Sequence, residues 1–282
     1  MKINEKLHEE RLAVLGKIAE YERQGLFDRD VEDDPPTLPL KPDGVRYLDR
    51  SPLAELRRFS AFALARLYFA CELAAHHLYL DSINGVENLT RVEGGAVITC
   101  NHMNPYDSFI MQRVFDLSER RGRMYRVIRE GNYTSFPGFY GFLMRNCDTL
   151  PLSSVFSTMK LFVRAADKAL ADGNCLLIYP EESLWWNYRK PKPLKIGAFD
   201  LADRSGVPVV PCFITLNDDA RVGEDGFPIQ HYTVHVGSPV YPDRSLSKQA
   251  SRERMRNATF SFMKETYERV YGIPLEYNTQ NQ

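Results

Sequence analysis

Several things are scarce in this chain, and each scarcity closes off a class of function. Cysteine is sparse: Cys71, Cys100, Cys147, Cys175 and Cys212 are an odd set of five with no C-x-x-C spacing. They read as reduced core thiols of a cytosolic protein, not as a disulfide frame. Charge of one sign is not in excess, since 36 Lys and Arg face 37 Asp and Glu. A net charge of −1 offers nucleic acid no basic field. The amino terminus, M-K-I-N-E-K-L-H-E-E, is charged where a signal peptide would be apolar. Long apolar runs are missing too. The best candidate span, Phe59 to Leu80, contains Arg66, Glu72, His76 and His77, each costly at mid-bilayer. That stretch reads better as an amphipathic helix packed on the core or lying in a membrane interface. There is no G-x-S-x-G elbow, no P-loop and no G-x-G-x-x-G fingerprint. Neither Glu72, His76 and His77 nor His231 and His235 assemble enough ligands for a metal site.

What remains is a chain with 44% hydrophobic residues, enough for a full core in one or two domains. Residues 1–50 form an N-terminal helical appendage: a charged amphipathic helix over Lys2–Gly25, then an acidic, proline-rich linker. Residues 51–82 form an amphipathic or apolar helical segment opened by Ser51-Pro52. From residue 83 to 282 short β-rich runs alternate with helical patterns. I-N-G-V-E-N-L reads as a strand with a turn, and A-V-I-T-C-N, M-Y-R-V-I-R-E, N-C-L-L-I-Y-P, V-P-V-V-P-C-F-I-T and H-Y-T-V-H-V read as strands; Val155–Ala171, Leu194–Ser205 and Ser247–Tyr271 read as helices, with Gly206 suited to follow the second. The alternation predicts an α/β domain with a mixed, largely parallel sheet flanked by helices.

One stretch carries chemistry. Ala96 to Arg113, A-V-I-T-C-N-H-M-N-P-Y-D-S-F-I-M-Q-R, is an apolar strand, then Asn101-His102, then a helix start marked by Pro105 and Asp107. Open α/β sheets place ligands at the carboxyl ends of strands. His102 and Asp107 are close enough across such a turn for the carboxylate to hold one imidazole nitrogen and leave the other as a base. The free amides opening the helix are candidate donors for an oxyanion.

The N-H-x-x-x-x-D spacing resembles the first motif of the lysophospholipid/glycerolipid acyltransferase superfamily, the group of 1-acylglycerol-3-phosphate acyltransferases. Three further blocks resemble that family in order. Gly141 to Ser154, G-F-L-M-R-N-C-D-T-L-P-L-S-S, matches the second, but Ser153 and Ser154 stand where a basic residue usually follows, leaving Arg145 as the substitute. Tyr179 to Trp186, Y-P-E-E-S-L-W-W, matches the third at Pro180 and Glu181, with Glu182 replacing a glycine and Leu184 the phosphate-binding arginine. Val207 to Pro211 matches the fourth, and Lys195, Gly197 and Ala198 resemble the run before it.

The resemblance implies an O-acyltransferase moving a fatty acyl group from acyl-CoA or acyl-carrier protein to a hydroxyl of a lysophosphatidate-like lipid. His102 would be the base and Asp107 its orienting partner. Asn101, Arg145, Glu181, Ser183, Lys192 and Lys195 would bind substrate, the two lysines by replacing the missing arginine. Glu181 has a second reading, a strand-end carboxylate held by backbone amides. No metal and no bound cofactor are implied beyond the thioester donor. The altered phosphate positions leave open a glycolipid or other non-phosphorylated acceptor, or a non-catalytic lipid-surface binding protein. The aromatic run Tyr133, Phe136, Phe139, Tyr140, Phe142 and the pair Trp185-Trp186 suit either a lipid–water boundary or the core. The expected location is cytoplasmic, peripheral to the inner face of the membrane.

Overall fold

A computed structural model describes residues 3–279. The first helix, α1, spans Glu5–Gln24; Asn4 caps it by accepting from the Leu7 N–H, and Gly25 ends it in the left-handed region. Lys2, where the sequence reading began this helix, lies outside the described residues. Residues 26–51 hold one 3-10 turn, Pro42–Gly44, and no other helix or strand. Ser51 caps helix α2, Pro52–Ala74, through the Ala54 N–H.

The helical segment expected to reach residue 82 stops at Ala74. His76 takes a φ of 58°, and Tyr79–Asn84 becomes strand β1, an edge strand that holds only Ile83 and Asn84 of the strand expected over I-N-G-V-E-N-L, whose remainder is helical after the turn at Gly85. Gly85 turns the chain at φ 80° beside the Val236 carbonyl, only 2.3 Å from where a Cβ would sit, so glycine alone fits there. Helix α3 (Val86–Thr90), strand β2 (Ala96–Thr99), helix α4 (Asp107–Leu117) and strand β3 (Met124–Ile128) follow. The aromatic, glycine-containing stretch after β3 forms two short helices, α5 (Glu130–Thr134) and α6 (Gly138–Asn146). Next come strand β4 (Thr149–Pro151), helix α7 (Phe156–Ala171) and strand β5 (Cys175–Ile178). Helix α8 covers Gly197–Ser205, three residues shorter than expected at its start because the preceding chain is pinned by the Lys195 N–H to the Pro180 carbonyl. Strands β6 (Val209–Val222) and β7 (Pro228–Val236) and helix α9 (Lys248–Tyr271) complete the chain.

The seven strands lie in the order β1-β7-β6-β2-β5-β3-β4. Only β6 and β7 pair antiparallel; the other neighbours run parallel. All four residues of β2 are buried because both faces of the sheet are covered. Ile98 faces the layer with Phe69 of α2 and Ile110 and Val114 of α4. Val97 faces Phe162 of α7, Phe199 of α8 and Met263 of α9. The carboxyl ends of β2, β5 and β3 therefore open side by side on one edge of the sheet. A smaller core sits beside that edge, where Val14 and Ile18 of α1 and Val31 pack on Trp185 and Trp186. No helix among the described residues is long and apolar enough to cross a membrane.

Candidate active site

The site begins where β2 runs out of backbone partners. Thr99 pairs with Pro211, which has no N–H to give. Two residues on, the Asn101 amide takes over the ladder: its Oδ1 accepts from the Ile214 N–H at 2.8 Å and its Nδ2 donates to the Ile214 carbonyl at 3.0 Å. Asn101 is buried and both ends of its amide are engaged, so it anchors β6 to the site and presents no free group to substrate. That replaces the expectation of a substrate contact.

The next residue is turned outward. His102 Nδ1 donates to Asp107 Oδ2 at 3.0 Å; a carboxylate only accepts, so the proton is on Nδ1 and the lone pair on Nε2. The same Oδ2 accepts from the Met103 N–H at 2.8 Å and the Asn104 N–H at 3.0 Å. One fully buried oxygen thus folds the turn and orients the ring. Asp107 Oδ1 has no partner among the described residues. The ring stacks on Tyr179, centroids 4.1 Å apart, and the Tyr179 hydroxyl pairs with Ser108 Oγ at 3.2 Å. The His102 side chain stays 24% exposed while Asp107 is at 0%, so the ring edge reaches solvent and its orienting acid does not.

Most of the amides expected to hold an oxyanion are occupied, but the Ser108 N–H in the first turn of α4 has no acceptor among the described residues. Met103 and Asn104 donate to Asp107, Tyr106 to Asn104 Oδ1, and Asp107 to the Asn104 carbonyl. The His102 N–H donates to Glu181 Oε2 at 3.1 Å. The motif closes its own turn with most of the donors a helix start offers and leaves the Ser108 N–H over.

Glu181 takes the second of its two readings, a carboxylate held by backbone amides. Its other oxygen accepts from the Lys192 N–H at 2.9 Å, and it is buried. The Lys192 ammonium is buried beside it, 3.8 Å from Oε2, donating to the Ser183 carbonyl at 2.6 Å and hydroxyl at 2.8 Å. Burial pushes the Glu181 carboxyl above the usual carboxylate range and Lys192 below the usual lysine range, and each charge partly offsets the shift of the other. Glu181, Ser183 and Lys192 therefore form one buried brace behind His102, not a substrate surface. Lys195 is exposed but bound to Asp28 at 2.7 Å. Arg145 donates to the Tyr133 and Phe136 carbonyls, both at 3.2 Å, closing the turn between α5 and α6.

Other contributors were not legible from spacing. Tyr179 forms the wall behind the ring, and its only sequence signal was an aromatic at the end of a buried strand. The Trp185 N–H reaches the His102 carbonyl at 3.2 Å and the Asn187 N–H the Met103 carbonyl at 2.8 Å, so the loop after β5 runs alongside the motif. Trp185 and Trp186 are core residues under α1, not boundary aromatics. Burial also pushes the Cys100 thiol well up, which removes it as a nucleophile.

Fold and site together define an α/β protein with a solvent-reaching imidazole seated on a buried carboxylate at the open edge of its sheet. Residues 82–215 match the family model described as Acyltransferase. Among solved structures, the 1-acyl-sn-glycerophosphate (LPA) acyltransferase PlsC from Thermotoga maritima shares the fold, with a TM-score of 0.53 over 81% of this chain and 86% of that one at 19% sequence identity. No curated protein matches the chain. Residues 82–215 therefore resemble an acyltransferase domain, on a fold shared with the Thermotoga maritima enzyme.

Proposed function

We propose that the protein moves a fatty acyl group from acyl-CoA or acyl-carrier protein to a hydroxyl of a lysolipid acceptor at a membrane surface. The observation that carries this reading is the single Asp107 oxygen that fixes His102 with Nε2 free and facing solvent. Nε2 takes the proton of the acceptor hydroxyl as its oxygen attacks the thioester carbonyl. The tetrahedral intermediate collapses, the C–S bond breaks, and the imidazolium returns its proton to the departing thiolate. No enzyme nucleophile is needed, because the acceptor oxygen attacks directly. The charge that develops on the ring is matched by the buried Asp107 carboxyl group paired with it.

Membrane contact is supported by helix α2. Leu53, Leu56, Phe59, Leu64 and Leu67 are exposed along one face, and Phe139 and Tyr140 of α6 sit beside it against Tyr68. The same helix reaches the catalytic turn, since the Tyr106 hydroxyl donates to Glu72 at 2.5 Å. An apolar helix face next to the site suits a protein that takes both acyl chains from an interface, here the cytoplasmic face of a membrane. The expected result is free thiol released from the donor in proportion to lysolipid supplied in vesicles. Vesicle binding without thiol release from either donor would leave only a lipid-binding scaffold.

A further inference from the structure

We propose that the N-terminal segment, residues 22–34, sets the charge of the acceptor by cancelling the cations at the open edge of the sheet, so that the acceptor carries no phosphate monoester. This inference rests on the acyl-transfer reading above and names the substrate class for the same site.

The stretches that leave the carboxyl ends of β2, β3, β4 and β5, residues 100–106, 129, 152–155 and 179–196, contain five cations: Arg129, Arg189, Lys190, Lys192 and Lys195. Each is already paired with a carboxylate. Arg189 meets Asp218 at 2.6 Å and Lys192 meets Glu181 at 3.8 Å. The other three are met by the N-terminal segment: Lys190 by Glu22 at 2.6 Å, Lys195 by Asp28 at 2.7 Å, and Arg129 by Asp30 at 2.5 Å and Asp34 at 3.5 Å.

These pairings are built into the fold. The Phe27 carbonyl accepts from Ser183 Oγ and the Arg29 carbonyl from Trp185 Nε1, both at 2.8 Å. Val31 is fully buried against the same tryptophans. The loop so gripped is the one whose Trp185 and Asn187 amides hold the carbonyls of His102 and Met103. The segment is therefore tied, through that loop, to the backbone of His102. The other two carboxylates of its Asp28–Asp34 stretch are also paired, Glu32 with Arg11 at 2.8 Å and Asp33 with Lys17 at 2.9 Å. Between that stretch and Arg129 lies a cavity of about 390 Å³ whose walls include Asp30, Glu32, Asp33 and Asp34. A phosphate monoester carries about −1.5 to −2 charges at neutral pH. Entering here, it would meet five cations already paired with carboxylates and would have to break those pairs to gain a partner of its own, which weakens binding. An uncharged glycerol or sugar hydroxyl meets no such penalty.

The test compares monoacylglycerol, lysophosphatidylcholine and lysophosphatidate of one chain length in the same phosphatidylcholine vesicles, with thiol release as the readout. Monoacylglycerol is expected to exceed lysophosphatidate in kcat/KM by about tenfold or more. The combined Asp28→Asn, Asp30→Asn, Asp34→Asn variant frees Arg129, leaves Lys195 only Glu182 at 4.0 Å, and should narrow that ratio by about tenfold. Two further arms need no triple variant: Asp30→Asn alone, at a side chain 44% exposed, and added salt, which screens exposed charges. Both should move the ratio the same way. Lysophosphatidate as the preferred acceptor of the unaltered protein, or a ratio that none of these changes moves, overturns the proposal and leaves acyl transfer standing. Thiol release with none of the three acceptors overturns the acyl-transfer reading and the proposal with it.

Discussion

His102→Ala is expected to lower kcat by roughly 10²- to 10⁴-fold, the range general-base catalysis supplies, with little change in acceptor KM. The change should not unfold the protein. The His102 backbone is held from both sides, its N–H by Glu181 and its carbonyl by Trp185. Asp107 Oδ2 keeps two of its three donors, the Met103 and Asn104 amides. What disappears is the only imidazole seated on that acid, together with its stacking on Tyr179. Steady-state thiol release paired with a thermal melt checks this. A near-normal kcat in a folded variant would remove His102 from the chemistry.

The second large effect is expected at Asp107. Asparagine has almost the same shape but offers one oxygen and one NH₂. With its oxygen at the Oδ2 position, the three existing donors are still received. The NH₂ then lies where Oδ1 now has no partner, so a buried donor is left unmet, at about 1–3 kcal/mol. Turned the other way, the NH₂ confronts the Met103 and Asn104 N–H groups and can hold the ring only in the wrong tautomer. In either pose the negative charge that stabilises the imidazolium is gone. Asp107→Asn should therefore lose up to about 10⁴-fold in kcat, as in the analogous serine-protease triad. Its melting temperature should fall as well, unlike that of the His102 variant. Comparing kcat and melting temperature in the two variants separates a ring that reacts from an acid that positions it. An Asp107→Asn variant with unchanged kcat would show that orientation of the ring does not limit the rate.

The sequence made the central strand and its turn legible because both depend on local rules. Val97 and Ile98 are an apolar run, Pro105 and Asp107 are helix-start residues, and Ser51, Gly206 and Ser247 end or open helices by their own chemistry. The spacing from His102 to Asp107 fits one tight turn, so the pair was visible without tertiary contacts. The first four residues of β1 were hidden because an edge strand with Asp81 and Ser82 lacks an apolar run. The roles of Glu181, Ser183 and Lys192 were misread because charged residues in a loop suggest a binding surface, and only the fold shows them buried against one another. The acidic stretch after α1 read as a linker for the same reason. Its partners Arg129 and Lys195 lie about a hundred residues or more away in the chain, at separations of 99 and 167 for the Asp30 and Asp28 contacts. No local pattern encodes such pairings.

The measurement closest to the central claim is the protonation of the His102 ring itself. Two-bond ¹H–¹⁵N spectra of protein labelled at histidine, assigned with His102→Gln, report which nitrogen carries the proton. At a pH where the ring is neutral, Nδ1 should be protonated and bound to Asp107, with Nε2 bare and able to accept. A proton resident on Nε2 instead would contradict the dyad and the acyl transfer built on it.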